Sequence, residues 1–439
     1  MDVDELLYLL KKVLDGLYDH GICVVSYACD GTEVERGVQK RFLDQHTLRR
    51  EYAIKNPRHG RPITTITYGL YRGQAICMVQ DSKHALKTLR NNLFSGARLL
   101  ILGNFTAMFR RILLAAQGGT SPLFNRDVHK LDRQDDNAAV RLFSAETLRY
   151  LADNHPDFAG EIVYLFVFGE LIDAYQNRTI PHAERLKLVL RARYFLDSWE
   201  VFLDQCGYRK DHYYISREAC DIIRIIIEGF IALVVIHRDH VTGPLLPWLH
   251  SSEACEHVFG SARQIVKDFT FLDFVYMIPK LRIKLHESIL RGKSSDAKSR
   301  ATGYNHTYYD NEGLDLQALS YYPTDDEISN IAVEAAEEAD SLFILLGVHP
   351  NDLDERSSST RLPSIAAWFG DADNEGTGLE VNDAEEEEEE ADSTDVEKLQ
   401  KILDDEEDSP ISRRQAADEK CMSLTAAALA LATEEAVVV

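Results

Sequence analysis

The run Gly21-Ile-Cys-Val-Val-Ser-Tyr-Ala28 constrains the fold more than any other stretch of the chain. It carries no charge and none of the polar alternation of a half-exposed strand, so it predicts a central strand buried on both faces. The run stops at Cys29-Asp30-Gly31, and Thr32-Glu33-Val34-Glu35 is a capping box that starts a helix to about Gln45. Upstream, Val3, Leu6, Leu7, Leu10, Val13, Leu14 and Leu17 make one stripe of a helix over 3–17. A helix, a buried strand, an Asp, a turn and a helix are the parts of an open α/β sheet, whose working residues gather at the carboxyl ends of strands. Asp30 holds that place, although Asp-Gly is equally an ordinary turn pair.

The pattern occurs once more. Residues 50–61 read as basic and irregular, then 62–68 and 75–80 read as two strands around the turn Tyr71-Arg-Gly-Gln74. The second strand ends at Asp81 and leads into a helix whose face carries Lys83, Lys87 and Arg90. His84 in its first turn is a metal ligand, a base or an ordinary helix residue. From about 97 to 246 the pattern is helical throughout, with helices predicted over 97–117, 144–154, 158–177, 181–206 and 215–238. The acid-dense stretch 127–137 matches no EF-hand and reads as a surface loop. Neither GxxxxGKS nor GxGxxG occurs. Ile222 to Ile236 is the densest apolar stretch; Arg224 and Glu228 interrupt it, which predicts a buried helix and not a membrane span.

Residues 250–269, HSSEACEHVFGSARQIVKDF, read as one two-sided helix capped by Ser251 or Ser252. Cys255, Val258, Phe259, Ala262 and Val266 form the apolar stripe, and Glu256, Gly260, Arg263 and Lys267 form a polar line. A carboxylate, a gap and two cations suit a divalent ion beside a phosphate backbone. They also suit a solvated face with an acid well placed for the helix dipole. A following helix over 272–291 carries Lys280, Lys284 and Arg291, and Lys293, Lys298 and Arg300 extend its charge, for phosphate contact or plain solvation.

The net charge of −24 is a property of one end. Residues 1–300 hold 41 Lys+Arg against 36 Asp+Glu, whereas the remaining 139 hold 7 against 36. The body is therefore slightly basic, which is compatible with nucleic acid. Residues 293–323 read as a linker and 328–346 as an acidic amphipathic helix. Beyond 350, Ser, Asp and Glu dominate, with a run at Glu385–Glu390; such a tail buries too little to offset its ordering entropy and is expected to be disordered, with short helices over 395–403 and 423–436. Seven cysteines without a CxxC fit a reducing compartment and exclude a zinc finger or a disulfide frame. The start, MDVDELLYLLKK, has no signal-peptide pattern. An intracellular chain with no membrane contact is expected.

Three short motifs resemble those of P-element-type (THAP-associated) DNA transposases. Val24-Val-Ser-Tyr-Ala-Cys-Asp30 resembles the strand that ends in the family's second catalytic Asp. Asp81-Ser-Lys-His-Ala-Leu-Lys-Thr-Leu-Arg-Asn91 is similar to Asp-Pro-Cys-His-x-x-Lys-x-x-Arg-Asn, and the segment from His250 to Arg263 is similar to Leu-Asn-Gln-Asp-x-x-Glu-x-x-Phe followed by Gly or Ser and then Arg. The resemblance covers roughly 1–290. It implies an α/β, predominantly helical chain: a partial RNase H-like sheet core interrupted by a large all-α insertion, with the disordered acidic tail behind it. The corresponding divisions are 1–84 and 248–292 for the core, 85–247 for the insertion, 293–349 for the linker and acidic helix, and 350–439 for the tail.

The resemblance also implies chemistry. Strand cleavage and transfer would use two Mg²⁺ ions roughly 4 Å apart. Asp30 and Glu256 would be the catalytic carboxylates and, with Asp81, the metal ligands; Lys83, Lys87, Arg90, Arg263, Lys267, Lys280 and Lys284 would meet DNA, in the nucleus or the cytoplasm. GTP binding by residues 85–246 is implied as well, though no phosphate loop is readable. The chain departs from the family at Ser82, Lys83 and His250–Ser252, lacks the THAP zinc finger, and shows no strand with a terminal Asp before Asp30. Impaired catalysis is therefore expected. The alternative is a non-catalytic adaptor that binds a protein partner, or itself, through the helical block and the tail.

Overall fold

The computed structural model describes residues 1–45, 49–58, 64–128, 133–291 and 314–353, without the side chains of 288–291. Outside these residues lie Arg61, Lys293, Lys298 and Arg300, the middle of the 127–137 loop, most of the linker, the tail from 354 with Glu385–Glu390, and the helices expected over 395–403 and 423–436. The side chain of Arg291 is likewise not described. The described chain is mostly helical around a small mixed sheet.

Helix α1 (Val3–Asp19) starts at a capping box of Asp2 and Glu5. It is followed by β1 (Ser26–Cys29), α2 (Glu33–Gln45), β2 (Arg49–Ile54), β3 (Thr64–Tyr71), β4 (Gln74–Gln80) and α3 (Ser82–Phe94). The strand order is β1-β4-β3-β2. Strands β1 and β4 run parallel, from Ser26 opposite Cys77 to Cys29 opposite Gln80, and the other two pairings are antiparallel. Strand β4 alternates: Ala75, Cys77 and Val79 face the main core, while Ile76 and Met78 pack with Leu7, Leu14, Tyr18, Val38 and Phe42 of α1 and α2. The sheet is thus covered on both faces, as an uncharged strand requires.

Two expectations fail here. The strand predicted over 21–28 is four residues long, because the turn that closes α1 runs to Gly21, at φ +73°, and the chain pairs only from Ser26; it lies at an edge, beside β4 alone. The stretch read as irregular from 50 contains β2, an edge strand whose inward Tyr52 and Ile54 are masked in sequence by the charges of Arg49, Arg50 and Glu51.

Next comes a hairpin of β5 (Leu100–Leu102) and β6 (Phe105–Ala107), then α4 (Phe109–Ala116). The helix predicted over 97–117 is corrected accordingly. Gly103-Asn104 is a hairpin turn with Gly103 at φ +59°, and apolar residues on both sides hid it from a periodicity reading. Short helices α5 (Asn125–Val128) and α6 (Asp136–Leu142) lead to α7 (Ala145–Asn154), α8 (Ala159–Gln176), α9 (His182–Cys206), α10 (Lys210–Tyr213) and α11 (Arg217–His240). Helix α11 lies across the sheet so closely that a Cβ on Gly229 would stand 2.6 Å from the carbonyl oxygen of Met78.

The helix expected over 250–269 is shorter: α12 spans Glu253–Ile265 and Val266 is extended, so Lys267 falls off the polar line of Glu256. Helix α13 (Phe271–Arg291) folds back on α12 over a small core of Ala262, Met277 and Leu281. The acidic helix, α14 (Asp325–Leu345), is embedded in the body. Its inner face of Ile328, Ala332, Ala335, Ala339, Leu342 and Phe343 is buried in the main core, and Glu338 pairs with Arg191 of α9 at 2.7 Å. Among the described residues no helix is long and apolar enough to cross a membrane.

Candidate metal centre

The parallel pairing sets the ends of β1 and β4 side by side, and the amide of Asp81 donates to the carbonyl of Cys29 at 2.8 Å. Beneath this junction Gln80 donates to Gln39 at 2.6 Å, and Gln39 donates to the carbonyl of Val79 at 2.8 Å, tying α2 to the sheet. The turn after β1 is capped by others: Glu35 accepts from the amides of Gly31 and Thr32 and from the Thr32 hydroxyl. The carboxylate of Asp30 is left out of the turn that its Asp-Gly sequence offered. Its Oδ1 is buried without a hydrogen-bond partner, and its Oδ2 lies 4.0 Å from Nδ1 of His84.

His84 stands in the first turn of α3. Asp81 caps that helix, accepting from the amides of Lys83 at 2.8 Å and His84 at 3.1 Å. Its second oxygen accepts from the amide and the hydroxyl of Ser252, at 3.0 and 3.1 Å. One buried carboxylate thus pins the start of α12 to the start of α3. Lys83 adds an ion pair with Glu253 at 2.7 Å. Just upstream, His250 is hydrogen-bonded through Nδ1 to the Ser26 hydroxyl of β1 at 2.7 Å and meets the His237 ring edge-on. Burial drives His250 down to about 3, so it stays a neutral strut at physiological pH.

These clips bring the chain back from the helical block onto both parallel strands, and Glu256 lands one turn into α12. Its Oε1 is 3.1 Å from Nε2 of His84. One donor atom each from Asp30, His84 and Glu256 lie within 4.8 Å of one another. Ligands about 2.0–2.2 Å from one ion are roughly 3–4 Å apart, so the cluster comes close to a single coordination sphere and needs only a small side-chain shift to close on an ion. The side chains remain open to solvent, at 38% exposure for Asp30, 27% for His84 and 52% for Glu256, which leaves room for water or substrate.

The other residues singled out from sequence fall elsewhere. Asp81 is 2% exposed and committed to its four hydrogen bonds, outside the triad. Of the phosphate-binding face expected from Lys83, Lys87 and Arg90, Lys87 is buried against Asp136 at 3.0 Å and Arg90 is buried with a bond to the carbonyl of Asp127 at 3.1 Å, while Lys83 is partly exposed and paired with Glu253. Basic residues at helical spacing define a face but not what packs on it, and here α6 and α8 do. Arg263, Lys267 and Lys280 are exposed on α12 and α13 and the link between them, and Lys284 donates to Gln264 at 2.5 Å. The six described cysteines are free thiols. Sequence reasoning passed over Ser252 as a clip and His250 as a strut. Both sit in the segment that departs from the transposase pattern, and nothing in their spacing marks contacts to residues so distant in the chain. Compared with family models, with curated proteins and with solved structures, the chain has no match.

Proposed function

We propose that this is a transposase-derived protein: its sheet, α3 and α12 form part of an RNase H-like core that holds a divalent ion for work on a DNA phosphodiester. The observation that carries the reading is that Asp30 and Glu256, on either side of the helical block, meet at one side chain, His84. The parallel β1–β4 pair supports it, with the carboxyl end of β1 supplying Asp30. A bound ion would polarise a phosphoryl oxygen and sharpen a water as nucleophile. Asp30, His84 and Glu256 would hold it, while Asp81 and Ser252 keep α3 and α12 in register. Arg263, Lys267 and Lys280, which are exposed, would meet a DNA backbone, with Lys284 beside them on Gln264.

Two ions in line need a bridging carboxylate, and Asp81 is committed to capping. Cleavage is therefore weak. In a divalent-metal-dependent nuclease assay on DNA we expect little or no product, and Asp30→Asn removes what there is. Robust cleavage abolished by Asp30→Asn contradicts the impairment. GTP binding by the block 85–247 follows from the resemblance alone, and a GTP-dependent rise in melting temperature is its test.

A second reading, an adaptor, is favoured by the α12–α13 hairpin, which exposes Phe271, Tyr276 and Ile283 at 83%, 76% and 62%. It predicts that partner capture is the same when Asp30 and Glu256 are both made amides.

A further inference from the structure

We propose that Asp30, His84 and Glu256 bind one borderline transition-metal ion, zinc foremost, in preference to a pair of magnesium ions. This stands on the triad and not on the DNA reading above. The donor set is one imidazole nitrogen and two carboxylates, drawn from three separate elements. Magnesium takes oxygen and keeps several waters, whereas imidazole favours zinc and its neighbours in the first transition row. Among the described residues no second group of metal-ligating side chains is found. Acids on the same elements are spoken for: Asp81 by the cap and Ser252, Glu253 by Lys83 at 2.7 Å and His257 at 3.7 Å, and Glu35 by the amides of Gly31 and Thr32.

Two features of the site fit an ion independently of the ligand count. Asp30 is not committed elsewhere: its Oδ1 is buried with no hydrogen-bond partner and its Oδ2 lies 4.0 Å from Nδ1 of His84. The His84 ring lies between the other two ligands, with Asp30 Oδ2 4.0 Å from Nδ1 and Glu256 Oε1 3.1 Å from Nε2. The supports are rigid: the helix starts carrying His84 and Glu256 are locked by one buried carboxylate, and Asp30 follows directly on a paired strand.

The test uses the full chain and Co²⁺ as a visible probe, with Zn²⁺ and Mg²⁺ as competitors. We expect one Co²⁺ per chain, with a ligand-field absorption band and none of the intense thiolate charge transfer that Cys255 or another free cysteine would add. One equivalent of Zn²⁺ displaces it and a large excess of Mg²⁺ does not. His84→Asn and Glu256→Gln, both at solvent-open side chains, each weaken Co²⁺ at least about 10-fold, and Cys255→Ser leaves it unchanged. Absence of stoichiometric binding overturns the proposal, as do binding indifferent to His84→Asn and displacement by Mg²⁺ as readily as by Zn²⁺. No DNA enters the measurement, so metal selectivity and the nuclease reading can fail separately.

Discussion

Gly31 occupies the turn between Asp30 and the cap of α2 at φ +98°, where a Cβ would lie 2.6 Å from Oε1 of the buried Gln80. Gly31→Ala combines left-handed strain with a contact that can yield only by breaking into the Gln39–Gln80 pair. We expect a loss of about 2 kcal/mol in urea unfolding and a displaced Asp30; a loss under about 0.5 kcal/mol would show that the turn relaxes freely. His250 gives a pH prediction. Its folded value is depressed from 6.5 to about 3, so its stabilisation is complete above about 6.5 and is lost as pH falls. His250→Gln can keep a bond to Ser26 but does not titrate. The wild-type chain should therefore lose about 2–3 kcal/mol more than the variant between pH 7 and 4.5; equal losses would contradict a buried neutral ring. Asp30 and Glu256 stood out in sequence only as candidates, a carboxylate ending an apolar run and one near a helix start, each with an ordinary structural reading beside it. His84 was legible only as an option. Its pairing with both acids, and the committed state of Asp81, are tertiary facts that no spacing encodes.

Elements were read best where apolar density is high and length excludes a strand. Helices α8, α9 and α11 fall close to their expected ranges because each is long and closed by a clear signal, such as Gly207 in the left-handed conformation after α9. The β5–β6 hairpin and β2 were missed for opposite reasons, one through uniform apolarity and the other through charge on an edge strand. Helix α14 was expected as an amphipathic helix, and the structure adds what its apolar face packs on. Its small inward residues let it lie close against α9, with Phe343 buried beside Phe195 at 5.1 Å between ring centroids. Phe343→Ala should cost about 3–5 kcal/mol by chemical denaturation; a cost below about 1 kcal/mol would mean that α14 is an appendage. Gly229 tests the seat of α11 on the sheet in the same way. Gly229→Ala drives a methyl into the Met78 backbone, and a loss of about 1–3 kcal/mol is expected despite the gain in helix propensity.

Across the whole molecule, one main core runs from the sheet through α8, α9 and α11 to α14, and a smaller one joins α1 and α2 to the sheet's other face. The block between α3 and α12 is thus continuous with the sheet, and its packing returns the chain to β1 and β4. The α12–α13 hairpin shares little of that packing and has its own small core. It is held to the body at its start by Asp81, Ser252 and the Lys83–Glu253 pair. The account depends on this return: Asp30 from the first strand and Glu256 from beyond the helical block must share one ion-sized space with His84. A crystal structure of the full chain grown with Zn²⁺, with data collected at the zinc edge, measures this directly. The account predicts one strong anomalous peak about 2.0–2.2 Å from a carboxylate oxygen of each acid and from a ring nitrogen of His84. A structure in which the two carboxylates point into different regions of solvent, with no peak between them, would contradict it.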